Sequence, residues 1–139
     1  MTYGKRNGAV HALRGVNMVM ERGDFLAFTG KSGCGKSTLL NILGAVCTPT
    51  SGFYLFELKV QTVSNLSGGQ CQRTAIAGRP NLLLADALTG ALDEETGGKI
   101  LQIFQQLNQR GMTILIVTHD EEVSAGCHRK IRMRDGLME

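Results

Sequence analysis

The chain has 139 residues, of which 42% are apolar and 19% charged, with a formal net charge of +3. Such a length and composition fit one globular domain with a two-layer or three-layer core and exclude a disordered chain. The charge is of mixed sign with one mild basic cluster, "CHRKIRMR" near the end, readable as a solvated strand edge or as a surface for anionic partners, and no nucleic-acid partner is expected.

The start "MTYGKRNGAV" lacks a signal-peptide core, and the apolar runs "LLLA" and "ILIV" are far too short to cross a bilayer. A cytoplasmic location follows, free or peripheral at the inner face of the cell membrane. Cys34, Cys47, Cys71 and Cys127 form no C-x-x-C pair, so they read as reduced thiols rather than a zinc site or disulfide framework.

In chain order, "GVNMVM" and "DFLAF" predict strands. "KSTLLNILGAV" predicts a helix with Leu39, Leu40, Ile42, Leu43 and Val46 as its apolar positions. Turn signals in "CTPTSG" precede the β-prone run "FYLFELKV". "SGGQCQRTAIA" reads as helical up to Gly78 and Pro80, and "NLLLA" as a buried strand. The next helix carries Ile100, Ile103, Phe104 and Leu107 at helical spacing, "TILIV" is a second buried strand, and "RKIRM" an edge-like last one. Buried apolar strands joined by helices imply an α/β fold with a mainly parallel sheet covered on both faces. No repeat or linker divides residues 1–139, which read as a single domain.

The strongest motif is "GKSGCGKST", Gly30, Lys31, Ser32, Gly33, Cys34, Gly35, Lys36, Ser37 and Thr38, which satisfies G-x-x-x-x-G-K-[ST] between a predicted strand and a predicted helix. Its glycines allow a tight turn in which successive N–H groups face phosphate oxygens, backed by the positive end of the following helix. Lys36 is expected to reach the β- and γ-phosphates, and the Ser37 hydroxyl to ligate magnesium. A second motif, "LSGGQ" at Leu66, Ser67, Gly68, Gly69 and Gln70, reads either as a capping box started by Ser67 and Gln70 or as a helix start that cradles phosphate.

"GKSGCGKST", "LSGGQCQRTAIA", "LLLAD", "TGALD" and "VTHD", in that order, resemble the ATP-binding subunits of ABC transporters along nearly the whole chain. "HALRGVN", "STLLNILG" and "TGALD" are most similar to the branch serving lipoprotein release and macrolide export. The resemblance implies a P-loop NTPase core with ATP and Mg2+ as cofactors, sandwiched between two subunits. It implies Lys36 and His119 as catalytic groups, His119 contacting the γ-phosphate, and Asp86 as the residue that holds magnesium together with Ser37. Tyr3 matches the adenine-stacking aromatic, or is an isolated tyrosine. Asp93 matches the loop that touches the opposing subunit, or is a plain helix N-cap. Leu66 to Gln70 complete a site in a partner molecule, either a second copy or a homologous subunit.

Four departures qualify what the resemblance implies. Where the family reads Asp-Glu-Pro, this chain reads Asp86, Ala87 and Leu88, so the glutamate that polarises the attacking water is replaced by alanine and hydrolysis is expected to be weak. Residues 39 to 65 are too few for the helical lobe that grips a membrane permease, so that subdomain is expected to be largely missing. No switch glutamine is assignable, and the strand that usually precedes the adenine aromatic is absent. The expectation is a truncated ABC-type domain that binds magnesium-ATP and hydrolyses it poorly, the alternatives being a non-catalytic, nucleotide-gated dimerisation module or a remnant that does not assemble.

Overall fold

The computed structural model describes residues 1–3, 9–52, 60–64, 81–86 and 94–139. Among them run strands β1 (Thr2–Tyr3), β2 (Val10–His11), β3 (Phe25–Thr29), β4 (Val60–Ser64), β5 (Leu82–Asp86), β6 (Thr113–Val117), β7 (Arg129–Arg134) and β8 (Leu137–Met138). The helices are α1 (Lys36–Leu43), α2 (Glu94–Gln109) and α3 (Glu121–Ala125).

The main sheet has six strands in the order β4-β5-β6-β3-β7-β8. All neighbours are parallel except β7 and β8, which are antiparallel. β1 and β2 form a separate antiparallel pair. The central strands are fully buried, β3 as FLAF, β5 as LLLA and β6 as TILIV. Continuous apolar runs of this kind arise because both faces are covered, and the two faces carry separate cores. Leu26, Phe28, Leu84, Leu115 and Val117 pack with Leu39, Leu40, Ile42 and Leu43 of α1. Phe25, Leu83, Ile114 and Ile116 pack with Ile100, Phe104 and Leu107 of α2 and Val123 of α3. Among the helical positions expected to be buried in α2, Ile100, Phe104 and Leu107 are buried, and Ile103 packs on their cluster half-exposed.

Three readings of the sequence need correction. Gly15 to Met20 is no strand. Val16, Met18 and Met20 do alternate inward onto the α1-side core while Val19 is exposed, but no ladder partner runs alongside among the described residues, and side-chain alternation alone does not make a strand. α1 stops at Leu43, and Val46 is 71% exposed rather than an apolar position of the helix. Gly44 caps α1, Ala45 adopts a positive φ of 57°, and the N–H groups of Val46 and Cys47 turn back to the carbonyl of Asn41. β4 (Val60–Ser64) pairs in register with β5 and begins at Val60, the last residue of the β-prone run "FYLFELKV"; residues 53–59 of that run lie outside the described residues. β7 is not the edge, because β8 continues the sheet beyond it through Met133 and Arg134. The helix expected over "SGGQCQRTAIA" lies outside the described residues.

One buried polar side chain fixes an element that the site depends on. Asn108, 8% exposed near the end of α2, donates through Nδ2 to the carbonyls of Gly23 (2.8 Å) and Met112 (2.9 Å), which anchors the helix to the approach of β3. Cys34, Cys47 and Cys127 are free thiols. Burial pushes the Cys127 thiol up to about 11.

Candidate nucleotide site

Because β3, β5 and β6 are parallel, their C-terminal ends open on the same side of the sheet, where ligands of open α/β folds bind. The loop after β3 is Gly30 to Gly35. Gly30 has φ 143° and Gly35 φ 105°, a region that favours glycine. A side chain on Gly30 would run into the Met133 carbonyl and lie 2.9 Å from Cys34 Sγ; one on Gly35 would run into the Ala12 carbonyl and lie 2.9 Å from Leu13. Gly33, at φ 79°, has open space around it. The first and last glycines are thus required by conformation and by space, the middle one by conformation alone.

The loop is tied from outside by Gly136, whose N–H donates to the Cys34 carbonyl at 3.1 Å and whose own carbonyl accepts from Arg14 N at 2.8 Å. Inside it, Lys36 Nζ donates to the carbonyls of Gly30 (2.7 Å) and Lys31 (2.8 Å) and to Cys34 Sγ (3.4 Å). The ammonium therefore sits within the curl of the loop. α1 begins at Lys36 with Gly35 as its N-cap and no side chain capping its first turn. Its first N–H groups are left for an external acceptor, and the helix dipole favours an anion there.

Asp86 stands half-buried at the end of β5, paired in register with Val117 of β6. Thr118, 1% exposed, follows β6; its N–H donates to the Phe28 carbonyl at 3.0 Å and its hydroxyl accepts from Asp120 N at 3.0 Å. Asp120 then caps α3, its carboxylate accepting from the N–H groups of Glu122 (2.8 Å) and Val123 (3.2 Å). His119 is the exposed residue held between this buried threonine and this cap.

These parts surround one cavity of about 620 Å³, a size usual for small-molecule sites. Gly30, Lys31, Ser32, Gly33, Gly35, Lys36, Ser37, Thr38, Asp86 and His119 all line it. Two expected residues do not. Cys34 turns its side chain into the α1-side core, 6% exposed, and Tyr3 lies on β1 opposite Val10, 41% exposed. Leu66 to Gln70, Ala87 and Asp93 lie outside the described residues. The sequence reading missed Val10, His11, Ala12, Val117, Thr118 and Gly136, which complete the lining. Of these, only the turn-forming "DG" at Asp135 and Gly136 carries a local signal.

The donors present suit a hard cation: the Ser37 hydroxyl and Asp86 carboxylate share the cavity, and magnesium takes one or two such oxygens alongside phosphate and water. Among the described residues no cluster of three His, Cys, Asp or Glu side chains is arranged to cage a metal without that help. No described helix is long and apolar enough to cross a membrane.

A mostly parallel sheet flanked by helices, with a glycine loop leading into a helix at its open end, defines a P-loop NTPase core. A family model described as ABC transporter matches residues 13–62. An uncharacterized ABC transporter ATP-binding protein of Methanocaldococcus jannaschii is 30% identical over 207 aligned positions, covering 96% of this chain and 92% of that protein. A macrolide export ATP-binding/permease protein of Mannheimia succiniciproducens is 31% identical over 206 positions, covering 96% of this chain but only 32% of its own length. A solved dimeric ATP-binding cassette in a post-hydrolysis state, bound to ADP and Pi, superposes with a TM-score of 0.84 at 29% identity, over 99% of this chain and 93% of that one. The chain belongs to the ATP-binding proteins of ABC transporters. It spans about a third of the macrolide exporters that it matches. The alignment with the archaeal protein is much longer than 139 residues, so that relative has segments to which nothing here corresponds.

Proposed function

We propose that residues 1–139 act as one truncated ABC-type domain that binds magnesium-ATP through Gly30 to Thr38 and hydrolyses it slowly. The observation that carries this reading is the uncapped start of α1 opening on a cavity shared by Lys36, Ser37, Asp86 and His119. Four kinds of group that a nucleoside triphosphate needs are present together: N–H donors, a lysine, oxygen donors for a cation and a histidine. Ser37 and Asp86 would hold the magnesium ion, which offsets the phosphate charge. Lys36 would leave the carbonyls of Gly30 and Lys31 for phosphate oxygens, a stronger, charge-assisted contact, and His119 would donate toward the γ-phosphate.

Ala87 favours slow turnover, and with it the second reading, a module in which ATP closes two subunits and stays bound. Its methyl group takes no proton from an attacking water, and a positioned base typically contributes ~10²- to 10⁴-fold in rate. Charge stabilisation by Lys36 and the cation survives that loss. The partner is a second copy or a homologous ATP-binding subunit, whose Leu66 to Gln70 completes each site; coupling to a permease is not expected to be stable with so short a segment between residues 39 and 65. On this reading the chain works in the cytoplasm, free or peripheral at the inner face of the cell membrane.

Light-scattering mass with and without magnesium-ATP, with phosphate release followed on the same sample, tests the reading. Magnesium-ATP is expected to raise the melting temperature of wild type and not of Lys36→Ala, since a ligand of the folded state stabilises it by mass action. An equal rise in both proteins overturns the assignment of Lys36. Ala87→Glu is expected to speed phosphate release by ~10²-fold or more at unchanged ATP affinity. No gain in that variant would move the defect from water activation to assembly.

A further inference from the structure

The row of cations on β7 is not used by the nucleotide reading. In β7, Ile131 and Met133 turn into the α1-side core, so Lys130, Arg132 and Arg134 share the opposite side of the strand. All three are exposed, Arg132 and Arg134 at 70% and 72% of their side-chain surface. Alternate strand residues are about 6.6 Å apart, so the row spans about 13 Å. Its carboxylate neighbours are weak partners: Arg132 Nε lies 3.9 Å from Glu139, and Arg134 Nε 3.8 Å from Asp135, all in solvent.

The row is continuous with the loop of the nucleotide cavity. One cavity of about 450 Å³ is lined by Lys31, Ser32, Gly33, Arg132 and Arg134 together with Asp135, and another of about 330 Å³ by Lys31, His119, Lys130 and Arg132 together with Glu121. Lys31 also lines the nucleotide cavity itself. Four cations against three exposed carboxylates, Glu121, Asp135 and Glu139, thus leave a net positive strip that starts from the P-loop at Lys31 and runs along β7. A linear anion with a negative charge at every unit complements such a strip along its whole length.

We propose that Lys130, Arg132 and Arg134, with Lys31 at the junction, form a second anion site for a linear chain of phosphate groups. The chain is supplied either as free inorganic polyphosphate or as the extra phosphates of a nucleoside polyphosphate seated in the P-loop. The strip itself does not require the ATP-binding reading; only the second source does.

Calorimetry tests it with linear inorganic polyphosphate, adenosine tetraphosphate and ATP, on wild type, on Lys36→Ala, and on a combined Lys130→Ala, Arg132→Ala and Arg134→Ala variant. Polyphosphate is expected to bind wild type in saturating magnesium-ATP, to bind Lys36→Ala equally well, and to bind the triple variant about 10- to 100-fold more weakly with a shallower salt dependence. ATP affinity in the triple variant is expected to stay within about 2-fold of wild type, a margin below the effect of one exposed ion pair. A combined Lys130→Arg, Arg132→Lys and Arg134→Lys variant retains binding, which separates charge from folding. If adenosine tetraphosphate outbinds ATP in wild type and the triple variant abolishes the difference, the nucleotide carries the chain; if only inorganic polyphosphate responds, the chain is free. Wild-type affinity for polyphosphate in the triple variant overturns the proposal, as does its loss in Lys36→Ala. Tighter binding of a single-stranded oligonucleotide than of polyphosphate at equal salt, removed by the same triple variant, also overturns it, in favour of a nucleic-acid surface.

Discussion

Gly30 and Gly35 bring their α-carbons against the carbonyls of Met133 and Ala12, whereas Tyr3 and Val10 meet in a ladder only two residues long and stand 41% and 63% exposed. Both regions contribute to one cavity wall: the glycine loop on one side, and Val10 and His11 of the hairpin on another. The loop is over-determined, with strand β7 behind it, Gly136 bonded to Cys34 and Lys36 bonded across it. The β1–β2 pair is held instead by separate single bonds: its short ladder, Thr2 to His11 at 3.1 Å, Thr2 N–H donating to Thr50 Oγ1 at 3.0 Å, and the Met1 ammonium donating to the Leu13 carbonyl at 2.8 Å. On the proposed reading the loop would hold the phosphates with donors already in place, which bind without an ordering cost.

That contrast is open to direct attack. Gly30→Ala should do the most damage, on the order of 3 kcal/mol from backbone strain and the collision with Met133 together. Differential scanning calorimetry should show a melting temperature lower by about 10 °C or no cooperative transition; a variant as stable as wild type would mean that the loop has room it does not show. Gly33→Ala sharpens the point, because its surroundings are open and only its φ of 79° resists a side chain. The expected loss is about 1 kcal/mol, read as a shift of a few degrees in the same scan. Tyr3→Ala should be nearly silent, within about 0.5 kcal/mol in stability and within about 3-fold in ATP affinity, well below what a desolvated aromatic stack contributes. A fall of tenfold or more in ATP affinity would make the hairpin a principal holder of the ligand and erase the contrast.

The sequence made the loop wall legible and the hairpin wall nearly invisible, and the physical reason is locality. The span from Gly30 to Thr38 encodes its own conformation through glycines at fixed spacing and a helix that starts at Lys36, so contiguous residues are enough to read it. The strands β3, β5 and β6 were legible for a related reason, since unbroken apolar runs arise only where both faces are covered. The hairpin residues Val10 and His11 join the cavity only through pairing with Thr2 and Tyr3 and through Ala12 packing against Gly35 and Gly136, contacts between distant segments with no local signature. Gly15 to Met20 failed in the opposite direction: its alternation is real, but a strand needs a neighbour, and period alone does not supply one. The early end of α1 turned on Ala45, a residue whose positive φ no propensity scale anticipates. Asp120 followed by two acidic residues is a local N-cap signal for α3, but a helix of five residues leaves too short an apolar pattern to be read from sequence.

The register of β3 also governs the order in which the molecule is assembled. Phe25 pairs with Ile114 and Leu26 with Arg129, so both neighbours of the strand that carries the P-loop lie in the last third of the chain. During synthesis from the N-terminus, Phe25 to Thr29 leaves the ribosome as an apolar strand with neither edge matched, and stays so until Thr113 and beyond have emerged. Long-range parallel pairing of this kind is slow, and an open apolar edge is an aggregation hazard while it lasts. The loop that Gly136 and Lys36 tie together is therefore among the last parts of the chain to gain its supporting bonds.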